Sequence, residues 1–226
     1  MSGEWYKIVL ATFVALLPIV NPFSAAVVFV AVTSDFSEAK RRKQALLACI
    51  YTVVILLVFL FAGAAIMNVF GISLPGIRIA GGLIVAGIGF AMLRPDPQKR
   101  VSDEAQDEAA HKNDVAFSPL AMPMMSGPGS IAVTLGLASN YERGLQYGAI
   151  AVGIVLIGLL SWLVLRSSER VVGYLGVTGM NALTRIMGFL LVCIGVQFIV
   201  VGVAGFLTDE DLISPFVEMI VRITNN

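Results

Sequence analysis

The chain has 226 residues, of which 58% are hydrophobic and 13% are charged, and its formal net charge at pH 7 is zero. Its mean hydropathy is +0.88. Because soluble globular domains carry about 25% charged residues, this composition excludes an ordinary soluble domain and predicts a polytopic membrane protein. The neutral net charge says nothing about partners, since the positions of basic residues along a membrane protein matter more than their sum.

Six stretches are apolar enough to span a bilayer, which takes about 20 mostly apolar residues per helix. They predict an all-α fold of six transmembrane helices. The first stretch is interpreted as a membrane segment, because it is too long for the apolar core of a signal peptide and lacks a clear cleavage pattern. The six stretches are residues 8–32, 45–68, 72–93, 117–138, 145–165 and 183–207.

The first predicted helix contains LLPIVNPFSAAV, residues 16–27, with Pro18 and Pro22 four positions apart. Proline removes a backbone donor and clashes with the preceding turn, so these residues leave carbonyl groups unpaired where lipid offers no water. A new half-helix is expected to begin with the N–H groups after the second proline, those of Phe23, Ser24 and Ala25.

The segment 94–116 is the one connection polar enough for an extended loop, with two prolines and mixed charge. It divides the chain into a first three-helix unit, residues 1–93, and a second, residues 117–207. The tail, residues 208–226, carries apolar residues on one helical face and can form an amphipathic segment at the outer surface.

The fourth predicted helix contains LAMPMMSGPGSIAV, residues 120–133, and repeats the pattern of the first. In both, a proline is followed by a polar residue, a second proline and a serine. A second new half-helix is expected at the N–H groups of Gly129, Ser130 and Ile131. The corresponding residues are Pro18 and Pro123, Asn21 and Ser126, Pro22 and Pro128, and Ser24 and Ser130.

The third and sixth predicted helices also match each other, as RIAGGLIV at residues 78–85 and RIMGFLLV at residues 185–192. Three spans per repeat is an odd number, so the second half is inverted relative to the first. The sequence therefore predicts two inverted three-helix repeats with broken first helices, which is the design of many secondary transporters.

Basic residues are distributed unequally between the connections. Ten Lys and Arg residues follow the first, third and fifth predicted helices, against four on the opposite side. Because basic residues are retained in the cytoplasm, the 94–116 linker is predicted to be cytoplasmic and both termini to face outward.

In inverted-repeat transporters the binding site lies near the midplane, where the interrupted helices meet. Free amides at a helix start attract an anionic group such as a carboxylate, and glycine lets a ligand approach the backbone closely. The predicted substrate-binding residues are Pro18, Asn21, Pro22, Phe23, Ser24, Ser126, Gly127, Pro128, Gly129 and Ser130.

Several of these residues also have a purely structural interpretation. A single proline can be an ordinary kink, and Asn21 can hydrogen-bond a neighbouring helix. Arg78 and Arg185 are expected to be interfacial anchors, with a gating or ion-pair role as the alternative. Gly81 and Gly82 are expected to let helices pack closely.

The sequence offers little for enzymatic chemistry. The one histidine, His111, lies in the polar linker, and Cys49 and Cys193 lie apart in apolar runs, so no metal site or disulfide framework is indicated. No nucleotide-binding loop of the Walker type is present. We expect neither an enzyme nor a cofactor. The predicted spans contain no acidic residue, which leaves Na⁺ or H⁺ coupling undetermined.

NPF after a proline, SGPGSI in the second half, six spans and a charged central linker resemble the MarC family of bacterial inner-membrane proteins over residues 5–207. This resemblance implies transport of small neutral amino acids, together with an older association with multiple antibiotic resistance. It carries over to the positions that fill the motifs here, namely Pro18, Asn21, Pro22, Ser126, Gly127, Pro128 and Gly129.

The leading hypothesis is therefore a secondary transporter of a small zwitterion in the bacterial inner membrane. The carboxylate would rest on a half-helix N-terminus, the ammonium on unpaired carbonyls, and Asn21 and Ser126 would orient the substrate while one repeat rocks against the other. Expected partners are a neutral amino acid and the bilayer, with no nucleic acid, and a homo-oligomer is allowed. The alternatives are a drug or metabolite exporter, or a non-transport protein that acts through the linker 94–116.

Overall fold

The structure is a computed structural model that describes residues 2–94, 115–139, 141, 144–209 and 214. All regular elements within these residues are helical, which confirms the predicted all-α class. Helices α1 to α8 are Ser2–Val20, Pro22–Val32, Glu38–Phe70, Leu74–Leu93, Ala116–Met125, Pro128–Ala138, Leu145–Arg166 and Ser168–Thr208.

Four helices in the described ranges are long and apolar enough to cross a membrane: α3, α4, α7 and the Thr178–Thr208 part of α8. The pair α1 and α2, bent by 40° at its break, gives a fifth if it is one span. The predicted fourth span, residues 117–138, is divided between α5 and α6, with α6 beginning at Pro128, where the second break was predicted. A broken pair followed by two long helices occurs twice, as α1 to α4 and as α5 to α8. The arrangement of six spans as an inverted repeat stays a prediction.

Prolines explain why α5 is irregular. Its winding is of the wide π type, but Ser118 (φ −124°, ψ 126°) and Met122 (φ −128°, ψ 126°) have extended backbone angles. Each directly precedes a proline, and the proline ring disfavours helical angles in the residue before it. The segment is therefore a series of short turns rather than a continuous helix.

Helices α4 and α8 pack through a glycine seam, formed by Gly82 and Gly89 of α4 and Gly188 and Gly195 of α8. A Cβ atom at Gly82 would lie 2.6 Å from the carbonyl oxygen of Gly195, and one at Gly89 would lie 2.7 Å from that of Gly188. Such distances mean that the two backbones touch, as small residues allow in membranes. The seam agrees with the packing role expected for Gly82.

Helix α7 is the centre of a second packing unit, because it contacts both α1 and α3. A Cβ atom at Gly153 would lie 2.6 Å from the Cβ of Thr12 in α1, and Gly158 meets the side chain of Val53 in α3. Fully buried side chains fill the space between these helices and the broken segments, among them Leu16, Phe29, Leu56, Met125 and Ile154.

Ion pairs and hydrogen bonds connect the ends of the helices. The Arg41 guanidinium near the start of α3 pairs with the Glu169 carboxylate at the start of α8, so these two helices begin on the same face. At the start of α4, Arg78 Nη2 donates to Ser139 Oγ at 2.9 Å, just after the end of α6. The predicted linker residues 95–114 and nearly all of the predicted tail lie outside the described residues.

Candidate substrate site

The break between α1 and α2 is made by Asn21, whose φ of 42° and ψ of 66° are left-handed. Pro22 disfavours a right-handed helical conformation at the residue before it, and asparagine tolerates the left-handed region better than most residues. Proline is also favoured at the first position of a helix, so the pair ends α1 and begins α2. Asn21 is the only non-glycine residue with positive φ among those described.

The Asn21 side chain is 7% exposed and caps α2. Its Oδ1 accepts a hydrogen bond from the Ser24 N–H at 3.2 Å, and its Nδ2 donates to Ser24 Oγ at 2.8 Å. The remaining Nδ2 hydrogen faces Met92 Sδ at 3.9 Å, a weak acceptor. One donor of Asn21 is therefore only loosely engaged and is available to a stronger acceptor.

The C-terminal end of α1 presents unpaired carbonyl groups. The Leu17 carbonyl accepts from the Asn21 N–H at 3.0 Å. The following carbonyls, those of Pro18, Ile19 and Val20, accept no hydrogen bond from the residues that the structure describes. These three residues are buried. Their carbonyls lack donors because the last carbonyls of a helix have no partner within it and because Pro22 has no N–H.

The second break precedes α6, which begins at Pro128 after the extended residue Gly127. The Ile131 N–H donates to the Gly127 carbonyl at 3.1 Å. The N–H groups of Gly129 and Ser130 have no acceptor in the described part of the chain. No side chain caps this helix start, so these two amides remain available for a ligand.

The two breaks differ in how many amides they leave free. Ser24 N–H is held by the Asn21 side chain, and Ala25 N–H donates to the Asn21 carbonyl at 3.1 Å. Of the three amides expected to be free at α2, only that of Phe23 is. At the start of α6, two of the three amides expected to be free are free, so the start of α6 is the better candidate for binding an anion.

The hydroxyl groups near the second break are already donating. Ser126 Oγ donates to the Ala121 carbonyl at 2.8 Å, and Ser130 Oγ donates to the Met125 carbonyl at 2.8 Å. Both side chains are almost completely buried. A hydroxyl that donates can still accept, so these serines are suited to meet a donor on a ligand rather than its carboxylate.

The two breaks lie side by side. A Cβ atom at Gly129 would lie 3.5 Å from Ile19 Cγ2 in α1, and 3.3 Å and 3.5 Å from the side chains of Val85 and Ile88 in α4. Further along α4, Met92 contacts Asn21. Both breaks therefore pack against the same helix, α4.

The adjoining helix ends have opposite polarity. A helix carries roughly half a positive charge at its N-terminus and half a negative charge at its C-terminus. The C-terminal carbonyls of α1 therefore form a negative pole beside the positive pole at the start of α6. A zwitterion with a carboxylate and an ammonium group has charges complementary to these two poles.

Sequence reasoning missed two contacts at the first break, those of Met92 and Thr184. Ser24 Oγ lies 3.3 Å from Thr184 Oγ1, which brings α8 to the first break. The only signal was that Thr184 directly precedes the repeated motif at 185–192. Arg185 itself is exposed and Arg78 bonds Ser139 away from the breaks, so the structure does not bring either arginine into the site. Pro18 and Pro22 are buried at the first break.

These observations define a polytopic helical membrane protein with a candidate internal site lined mainly by backbone groups at two interrupted helices. Residues 6–207 match the model of the MarC family of integral membrane proteins, and the chain belongs to this family. The resemblance inferred from the motifs is thereby confirmed.

Similar relatives come from Citrobacter koseri, Salmonella typhimurium and Escherichia coli O1:K1, and each is called inner membrane protein MarC. Each is 40% identical to this chain over 211 residues, which cover 88% of this chain and 96% of the relative. No solved structure matches the chain. The chain is an inner-membrane protein with several membrane-spanning helices.

Proposed function

We propose that this protein is a secondary transporter of small neutral amino acids. The observation that carries the proposal is the buried pair of opposite poles, with free carbonyls at the end of α1 and free amides at the start of α6. A site made of backbone groups suits a small zwitterion, because the backbone supplies both donors and acceptors without a permanent charge.

In this proposal the substrate carboxylate accepts hydrogen bonds from the Gly129 and Ser130 amides. Its ammonium group donates to the carbonyls of Pro18, Ile19 and Val20. The loosely engaged Nδ2 of Asn21 orients the substrate. Ile19 packs beside Gly129, which places the two sets of backbone groups in neighbouring helix ends.

The same proposal includes the membrane arrangement. The 94–116 linker is cytoplasmic, both termini face outward, and two inverted repeats provide alternating access. The starts of α3 and α8 lie on a shared face, and both carry basic residues near their N-terminal ends, Arg41 and Arg42 in α3 and Arg170 in α8, which supports this arrangement. Either Na⁺ or H⁺ can serve as the coupling ion.

Counterflow in proteoliposomes tests the proposal, with labelled glycine, alanine and serine and with or without Na⁺. Counterflow needs no known driving gradient. The informative variant is Gly129→Ala, whose Cβ would lie 3.3 Å from Val85 Cγ2 and beside the free amides. The matched control is Gly136→Ala in the same helix, whose Cβ would lie 3.2 Å from the Phe198 ring.

We expect wild type and Gly136→Ala to exchange at least one of these amino acids and Gly129→Ala to lose at least tenfold in rate. Equal rates in the two correctly inserted variants would refute the site. Absence of exchange by folded wild-type protein would refute amino-acid transport and direct attention to the linker or to a different substrate.

A further inference from the structure

A cavity of about 450 Å³ lies where α2 ends, α3 begins and α7 passes into α8. It is separate from the two helix breaks. Four arginines and two glutamates line it, together with apolar and serine side chains. The charged lining residues are Arg41, Arg42, Arg166, Arg170, Glu38 and Glu169.

The charges in this cavity do not cancel. Glu169 pairs with Arg41 and Glu38 pairs with Arg42, so both carboxylates are engaged. No carboxylate within the described ranges pairs with the other two arginines, Arg166 and Arg170. The cavity therefore has an excess of two positive charges, and guanidinium groups match the geometry of phosphate oxygens.

Arg41 also has unused hydrogen-bonding capacity. Its Nη2 donates to the Thr33 carbonyl at 2.9 Å, which fixes the side chain, but its buried Nε has no partner among the residues described. A buried N–H without an acceptor is unfavourable. An anion in the cavity would supply that acceptor.

An apolar groove of about 400 Å³ adjoins the cavity, and Leu163 lines both. Side chains of α1 and α7 form its walls, and its surface is almost entirely apolar. The ring of Trp162, over which Arg166 is stacked at 5.2 Å, is an aromatic group typical of the membrane interface. The groove is lined by Trp5, Tyr6, Val9, Leu10, Phe13, Leu156, Leu159, Leu160 and Leu163.

We propose that the arginine cavity binds a phosphate-bearing anion, and that the adjoining groove makes this anion the headgroup of an acidic phospholipid with an acyl chain along α1 and α7. Basic pockets between transmembrane helices on the cytoplasmic side are suited to such headgroups. The proposal does not depend on the transported substrate.

Native mass spectrometry of the detergent-purified full chain tests this proposal. The probes are phosphatidylglycerol, phosphatidylcholine with identical acyl chains, and inorganic phosphate as a competitor. The test variant is Arg166→Gln with Arg170→Gln, and each single variant is measured too in case the double variant does not fold. The control, Lys43→Gln with Arg94→Gln, also removes two positive charges but alters no residue that lines the cavity.

We expect wild type and control to retain phosphatidylglycerol in preference to phosphatidylcholine, and the test variants to lose at least tenfold in that preference. Equal retention of both lipids, or the same loss in the control, would overturn the proposal. Displacement of phosphatidylglycerol by millimolar inorganic phosphate would show that the cavity binds the free anion and would overturn the lipid assignment.

Discussion

Replacing Asn21 with alanine removes two separate contributions to stability. The first is the cap on α2, since loss of an asparagine cap costs about 1 kcal/mol. The second is the ability of asparagine to adopt the left-handed backbone conformation, which is unfavourable by roughly 1–2 kcal/mol for most other residues. With φ of 42° and the Oδ1 bond to Ser24 N–H both present, the two add to about 2–3 kcal/mol.

Asn21→Gly separates the two contributions. Glycine adopts positive φ without strain and is itself an acceptable cap, so its cost is a few tenths of a kcal/mol. We therefore expect the alanine variant to be less stable than the glycine variant by about 2 kcal/mol. Unfolding in mixed micelles, followed by circular dichroism, measures this gap. Equal stability of the two variants would refute the view that backbone conformation holds the break.

The glycine variant also allows a clean test of the substrate role. It keeps the break but has no amide side chain, so a loss of counterflow cannot be attributed to a changed fold. If Asn21→Gly is stable and transports at the wild-type rate, the orienting role of the Asn21 amide is wrong. In that case the backbone groups alone recognise the substrate.

Two further predictions concern packing and ion pairing. Gly82→Ala should lower the free energy of unfolding by about 1–3 kcal/mol, because its Cβ would enter the glycine seam. Gly87→Ala, whose Cβ would meet nothing within 4 Å, should be neutral or stabilising by up to about 1 kcal/mol. Unfolding in micelles measures both variants, and similar losses in the two would contradict the seam. Arg41→Gln should destabilise the protein more than Glu169→Gln, because Arg41 also donates to the Thr33 carbonyl. The exposed ion pair alone contributes about 0–1 kcal/mol. The same unfolding measurement checks this order, and a larger loss in Glu169→Gln would contradict the role given to the Arg41–Thr33 bond.

The positions of the two breaks could be predicted from sequence because proline acts locally. Pro22 has no N–H and restricts the residue before it, so an end of α1 at Val20 follows from chemistry within one turn. The start of α6 at Pro128 follows in the same way. The irregular winding of α5 could also have been predicted, since Pro119 and Pro123 act on the residues before them, but the sequence analysis predicted only that this span is broken.

Contacts between helices could not be predicted in this way. Met92 and Thr184 reach the first break only because α4 and α8 pack together, and that packing depends on residues far apart in the chain. The number of free amides at the start of α2 could not be predicted from the sequence either. Asn21 holds the Ser24 amide only because it adopts the left-handed conformation, so the polar residue expected to bind substrate also closes part of the first helix start.

The glycine seam has a mechanical consequence. Helices whose backbones touch, with glycines seven residues apart on each side, cannot rotate or slide without driving carbonyl oxygens into the opposite chain. Helix α4 comes from the first half of the sequence and α8 from the second, so the seam links the two halves through one rigid pair of helices. If access alternates, α4 and α8 therefore move together as one unit against α3 and α7, rather than as parts of two repeats that rock separately.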